Sequence, residues 1–159
     1  MSPRAERLRL PGGYGTPSTT LEWAEVRARL AEARAYWVAT CRADGRPHVV
    51  PVDGLWLDYV WYYGGGPDAV HVRTARANPA VVMHLPDPHK SVIVEGRVRP
   101  ARPDEPLARR LLAASNAKYP EYGAGSDPAA YDDALALHPA RVLAWSSYPR
   151  DATRFVFDA

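Results

Sequence analysis

The chain has 159 residues, 47% of them hydrophobic and 24% charged, which fits one globular domain with a core of useful size. Its formal net charge of +2 excludes a strongly basic nucleic-acid binder, and its one cysteine, Cys41, excludes an internal disulfide framework or a cysteine zinc cluster. No apolar run reaches membrane-spanning length, and the opening MSPRAERLRL lacks a signal-peptide core, so a cytoplasmic protein is expected, with no membrane and no nucleic acid among its partners.

Residues 1–18 are rich in Pro, Gly and Arg and read as an irregular N-terminal arm, leaving 19–159 as a single domain. Thr19 and Glu22 have the spacing of a capping box, so a helix is expected to start there. Trp23, Val26, Leu30 and Ala33 then fall on one helical face. Tyr36–Cys41 (YWVATC) reads as a strand, Arg42–Arg46 as its turn, and His48–Val52 as the return strand. The alternation leaves open which parity of this hairpin faces the core, because both faces are mostly apolar.

Leu55–Leu57 and Val60–Tyr63 read as two more strands joined by a turn at Asp58-Tyr59. Gly64-Gly65-Gly66-Pro67 follows. Three glycines after a strand allow close approach of backbone to a ligand, and Asp68 is placed to cap the next helix, Asp68–Asn78. Together they read either as an anion-binding corner or as a tight strand-to-helix connection. On that helix Val72 and Ala75 are expected inward, and His71, Arg73 and Arg76 outward. Asn78-Pro79 ends it.

Ala80–Leu85 and Ser91–Val98 read as strands. An Asp104-capped helix is expected from Leu107 to about Tyr119, with Leu107, Leu111 and Ala114 as its apolar stripe. Residues 119–139 read as a loop with one helical turn around Ala129–Ala136. Val142–Trp145 and Thr153–Phe157 close the chain as strands. Short strands, tight turns and inserted helices predict a mainly β, antiparallel barrel with flanking helices.

Several chemistries lack their signatures. The five histidines, His48, His71, His84, His89 and His138, form no compact ligand pair, so no metal site is expected. There is no G-x-S-x-G elbow, no Walker sequence and no G-x-G-x-x-G fingerprint. Cations and aromatics remain. Arg73 and Arg76 follow the glycines, Arg97, Arg99 and Arg102 form a second basic group, and guanidinium suits phosphate. Trp56, Trp61, Tyr62 and Tyr63 are candidates for stacking on a planar ring or for core and interface packing.

The ordered blocks YWVATCRADGRPHVVPVDGLWLD, WYYGGGP, HVRTARANPAVVMHL, SVIVEGRV, VLAW and DATRFVF resemble the pyridoxamine 5′-phosphate oxidase-like proteins. The resemblance is strongest to their actinobacterial FMN- and deazaflavin (coenzyme F-420)-dependent oxidoreductases, and it spans Leu21–Phe157. It implies an FMN-binding type split β-barrel, a homodimer with the cofactor at the subunit interface, and hydride transfer to or from a small planar substrate. An alternative on the same fold is a non-catalytic protein that holds a cofactor or haem.

Carried over by position, the resemblance places His48, Val50, Pro51 and Val52 along the isoalloxazine edge, with Tyr62 and Tyr63 at the end of the next strand. It places His71 and Arg73 at the phosphate, and Ser91, Trp145 and Arg154 elsewhere in the cofactor or substrate site. Tyr63 is the candidate catalytic proton donor. His71 stands where a lysine is common, so binding is expected to strengthen as pH falls if its ring faces the phosphate. Arg154 is followed by Phe155-Val156, so the Arg-x-His of the true oxidases is missing and vitamin B6 oxidation is not expected.

Overall fold

The computed structural model describes residues 2–157. It contains nine strands in one antiparallel sheet, with three α-helices. In chain order these are β1 (Arg4–Arg7), α1 (Trp23–Glu32), β2 (Tyr36–Cys41), β3 (Pro47–Val52), β4 (Leu55–Leu57), β5 (Val60–Tyr63) and α2 (Val70–Ala77). They are followed by β6 (Ala80–His84), β7 (Val92–Pro100), α3 (Glu105–Lys118), β8 (Leu135–Ala144) and β9 (Thr153–Val156). The main path runs β1-β9-β8-β7-β6-β2-β3.

The sheet splits at β8. One edge of β8 pairs with β7 along its whole length, while the other pairs first with β5 (Leu135–Leu137) and then with β9 (Arg141–Ala144). The register steps between Glu95 and Gly96, opposite Pro139. Gly96 has to be glycine, since a Cβ there would lie 2.1 Å from the His138 carbonyl oxygen. Pro139 hid this strand from the sequence pattern, because proline inside an apolar run argues against a strand. It is accommodated at the irregular step, so β8 begins seven residues before the expected Val142.

Burial settles the parity of the first hairpin. Tyr36, Val38 and Thr40 face the core, and their cross-strand partners Val52, Val50 and His48 share that face. Trp37, Ala39, Val49 and Pro51 point outward. The main core also holds Trp61, Met83, Val94, Leu137 and Phe155. A second cluster forms where α3 packs through Leu111 on the far face of β4, β5 and the start of β8, against Leu55, Tyr62 and Ala136. Among the described residues no helix covers the outer face of β2, β6 and β7.

Three local expectations change. The N-terminal arm is not irregular throughout, because Arg4–Arg7 pairs with β9 as an edge strand. The Thr19–Glu22 capping box does not form: the Thr19 amide donates to the Arg150 carbonyl at 3.2 Å, and α1 starts at Trp23 without a side-chain cap. Asp68 is not a cap either, since the Ala69 amide turns back to the Gly66 carbonyl at 2.9 Å and puts Ala69 at the N-cap. By contrast Asp104 caps α3 as expected, accepting from the Leu107 amide at 2.9 Å. The Asp58-Tyr59 turn is also present, with φ of 48° and 67°. Two left-handed residues suit the right-handed twist of a two-residue hairpin.

Candidate functional site

The β2–β3 turn and α2 enclose a recess of about 310 Å³. Its walls include Cys41 and Arg42 from the hairpin and Val70, Arg73, Thr74 and Asn78 from the helix region. The turn is set by the Arg42 amide donating to the Arg46 carbonyl at 3.0 Å and by Gly45, whose φ of 87° favours glycine. Asn78 Nδ2 donates to the Cys41 carbonyl at 3.5 Å and ties the end of α2 to the hairpin. Arg73 is exposed and forms no ion pair among the described residues. Arg42 Nε is buried and has no hydrogen-bond partner among them. A buried guanidinium nitrogen without an acceptor is costly. Arg42 as a whole is half-buried and lines the recess, so an anion there meets the rest of its side chain rather than Nε. By its sequence Arg42 reads only as a turn residue; α2, on the other wall of the recess, makes it part of a site.

Beside the recess, β3 is an edge strand. Pro51 and Val49 lie on its outer side, Val49 being 51% exposed, while His48, Val50 and Val52 are half-buried on the core side. The expected ring-contacting residues therefore divide between two faces. Cys41 also lines a second, larger recess of about 800 Å³ on the outer sheet face, which includes Arg97 of the second basic group.

Tyr62 and Tyr63 point to opposite sides of β5. Tyr62 joins the cluster under α3, and Tyr63 enters the main core, stacked on Trp61 with centroids 4.3 Å apart. The Tyr63 hydroxyl is buried without a partner among the described residues, and burial pushes its pKa well above the usual phenol value. That makes it a poor proton donor at neutral pH. His71 was expected outward at the phosphate. It is 9% exposed, its Nε2 lies 3.1 Å from the Gly64 carbonyl, and its ring lies against Tyr63. The same ring explains Gly65, where a Cβ would approach His71 Nε2 to 2.8 Å. The pH dependence expected from His71 at the phosphate loses its geometric basis.

The residues 119–134 close a pocket of about 250 Å³ against the ends of β3 and β5. Tyr62, Tyr119, Tyr122 and Tyr131 line it with Gly64 and Gly65, and Asp53 and Asp133 are its charged residues. Tyr119 anchors the closure: its hydroxyl accepts from the Gly54 amide at 3.0 Å and donates toward the Arg34 carbonyl, also at 3.0 Å. Lys118 reinforces it, with Nζ donating to the Ala33 carbonyl and the Tyr36 hydroxyl, each at 2.9 Å, and to the Gly54 carbonyl at 3.2 Å. This pocket was not found from the sequence, where 119–139 lacked any periodic pattern.

Of the remaining expected residues, Arg154 lines the same outer-face recess as Cys41 and Arg97, whereas Ser91 and Trp145 lie elsewhere. Ser91, at the start of β7, is three strand spacings, about 14 Å, from β3. It is buried, and its carbonyl accepts from the Trp145 amide at 3.1 Å. Arg154 on β9 is held by Glu6 of the N-terminal strand, with Nε 3.0 Å from Oε2. One protomer therefore gathers Arg73 and the β3 residues at one corner and Ser91 with Trp145 at another. No helix among the described residues is long and apolar enough to cross a membrane.

Solved structures share this architecture. An F420 reductase is 25% identical, with 84% of this chain and 98% of that chain covered and a TM-score of 0.51. A FAD-binding protein from Mesorhizobium loti is 25% identical over 86% of this chain and 96% of that one, with a TM-score of 0.59. A heme-binding protein from Mycobacterium smegmatis, 21% identical, covers 84% of this chain and 59% of that chain with a TM-score of 0.61, a likeness of fold alone. No curated protein sequence matches the chain. The sequence profile of pyridoxamine 5′-phosphate oxidase matches residues 23–146, which run from α1 through the split barrel to the end of β8 and include both corners described above, and the chain belongs to that family.

Proposed function

We propose that this chain is an oxidoreductase that works with a flavin-type cofactor, with the deazaflavin coenzyme F-420 preferred to FMN, and that it acts as a homodimer on a small planar substrate. One observation carries the reading: the side chains of Arg42 and Arg73 line one recess. Two guanidinium groups at one recess suit a phosphate. The exposed Val49 and Pro51 beside it offer an apolar edge for a planar ring. The residues present thus fit such a cofactor, which when bound supplies the hydride transfer. This chain's own part is to hold the phosphate through Arg42 and Arg73, to position the ring along β3, and to keep water from the substrate side. Tyr63 has no proton-donating part in this reading.

The deazaflavin preference rests on arginine. FMN ends at its phosphate, whereas the deazaflavin coenzyme carries a further anionic tail. Arg97 and Arg99 are exposed along β7, and Arg97 lies in the recess that adjoins Cys41. They offer that tail charge which FMN cannot reach. The 25% identity to an F420 reductase and to a FAD-binding protein supports the same class of ligand.

Dimerisation is supported by the uncovered outer face, where Trp37, Val82, Ile93 and Leu143 are only half-buried in the chain alone. A second copy on this face would cover them. It would also bring its own Ser91 and Trp145 toward the β3 corner, which one protomer leaves about 14 Å away. The test is the absorption spectrum of the purified protein before and after adding the deazaflavin, FMN and haem. Saturable binding of the deazaflavin, tighter than FMN, supports the reading. A haem spectrum with no affinity for either of the others replaces it with a haem-binding function.

A further inference from the structure

We infer that the tyrosine-lined pocket beside the glycine exit takes a small planar cation of one or two rings. The inference rests on the oxidoreductase reading only in calling that ligand the substrate; the pocket's own chemistry is independent of it. Size comes first. A cavity of about 150 Å³ holds benzene, and drug-sized ligands fill roughly 300–1,000 Å³. At about 250 Å³ this pocket lies between them.

The walls set the shape of the ligand. Tyr62, Tyr63, Tyr119, Tyr122 and Tyr131 line it beside the bare backbone of Gly64-Gly65, with Tyr119 and Tyr122 stacked on each other 5.8 Å apart. Flat aromatic walls and a bare backbone favour a flat ligand over a branched one.

Charge sets its sign. Asp53 and Asp133 are the charged side chains of the lining. Two cations lie nearby, Lys118 and Arg34. Lys118 donates to the Ala33 and Gly54 carbonyls and the Tyr36 hydroxyl. Arg34 pairs with Glu121 and lies over the Tyr119 ring, 5.6 Å from its centroid. Arg34 is balanced by Glu121, so the two carboxylates outweigh the one remaining charge nearby, Lys118, and the pocket is negative. Tyr122 donates its hydroxyl to Asp53 Oδ2 at 2.8 Å, which fixes that carboxylate at the rim while leaving its other oxygen to accept. Electron-rich ring faces next to a fixed carboxylate favour a cation and disfavour an anion. The pocket opens where β3 ends, since Asp53 follows Val52 directly, so a ligand here lies beside the strand proposed to carry the cofactor ring.

The test uses the whole protein without added cofactor and equilibrium dialysis of three isosteric probes: 1-methylquinolinium, 1-methylnaphthalene and 1-naphthoate. The cation is expected to bind at least tenfold more tightly than the anion, with the neutral probe between them. In the double variant Asp53→Asn, Asp133→Asn that preference is expected to fall by tenfold or more, with the neutral probe unchanged; asparagine keeps the acceptor for Tyr122. Equal binding of 1-naphthoate and the cation, undiminished cation affinity in the double variant, or no binding of any probe overturns the inference. Deazaflavin titrated into the same preparations reads the cofactor separately. A cation preference in a protein that binds no cofactor upholds the pocket and rejects the oxidoreductase reading.

Discussion

The arginine recess and the tyrosine pocket are built in opposite ways. The recess has positive walls supplied by a hairpin and a helix with regular patterns, and most of it lies between Cys41 and Asn78. The pocket has negative, aromatic walls, and half of it comes from residues 115–134, which carry no strand or long-helix pattern after Lys118. A site formed by neighbours in sequence can be read in outline before the fold is known. One closed by a distant irregular segment cannot.

Breaking the pocket's support is expected to have the largest effect on the fold. A Cβ on Gly54 would lie 2.2 Å from Trp61 Nε1, and Trp61 is fully buried. Overpacking of this kind costs about 1–3 kcal/mol or more, so Gly54→Ala is expected at the top of that range, with the arginine recess losing far less order than the pocket. Urea unfolding and hydrogen exchange check both halves; an unchanged midpoint would show that the Trp61 contact yields easily.

Dimerisation separates the two regions next. The recess adjoins the uncovered sheet face, whereas the pocket lies under α3. Val49→Asp puts a charge on the outer side of β3 and is expected to give a monomer by light scattering, with cofactor affinity lost and probe binding in the pocket kept. A parent protein that is monomeric at micromolar concentration would contradict the shared site.

A smaller effect reads Lys118. Burial, and then the charge of Arg34, push its pKa down from 10.5 to about 8. Between pH 8 and about 10 the unfolded chain holds a proton on this amine that the folded chain has released. Stability therefore rises with pH in that window, and the cost of the buried charge is fully present below it. With Lys118 only half-buried, the gain is expected to be roughly 1 kcal/mol. Urea midpoints at pH 7.5 and 9.5 should show it in the parent and not in Lys118→Met. A parent midpoint that falls over this range would reverse the sign.

The smallest effect is expected at the far end of α3. Arg110 pairs with Asp58 and holds its carboxyl below the usual range, but both side chains are exposed. Asp58→Asn keeps a residue that tolerates φ of 48° and should change stability by no more than about 0.5 kcal/mol. A larger loss would make this pair a support of the tyrosine pocket.

Much of the barrel was legible because its strands are short apolar runs between turn residues. Tyr36–Cys41, Leu55–Leu57 and Val60–Tyr63 have the expected bounds. The long β8 was not, since Pro139 breaks its pattern and only the switch of partners explains its place. At the site, Arg73 was legible as a cation after the glycines. His71 was not legible as a core residue, because helical spacing alone put it outward, and its packing on Gly65 depends on how the glycine exit folds back. Arg42 was not legible for the converse reason: a turn arginine is ordinarily solvated, whereas this one is half-buried beside α2. Arg154 carried no sign of its partner, because Glu6 lies 148 residues away in sequence.

The central claim is that Arg42 and Arg73 hold a phosphorylated cofactor. Charge-assisted hydrogen bonds contribute on the order of 1.5–3 kcal/mol, so Arg73→Ala and Arg42→Ala should each weaken binding by roughly ten- to a hundredfold. The direct measurement is titration of the deazaflavin and of FMN into the parent protein and both variants. The account predicts tighter binding of the deazaflavin by the parent and a loss for both ligands in each variant. Affinities that do not change in either variant would contradict it.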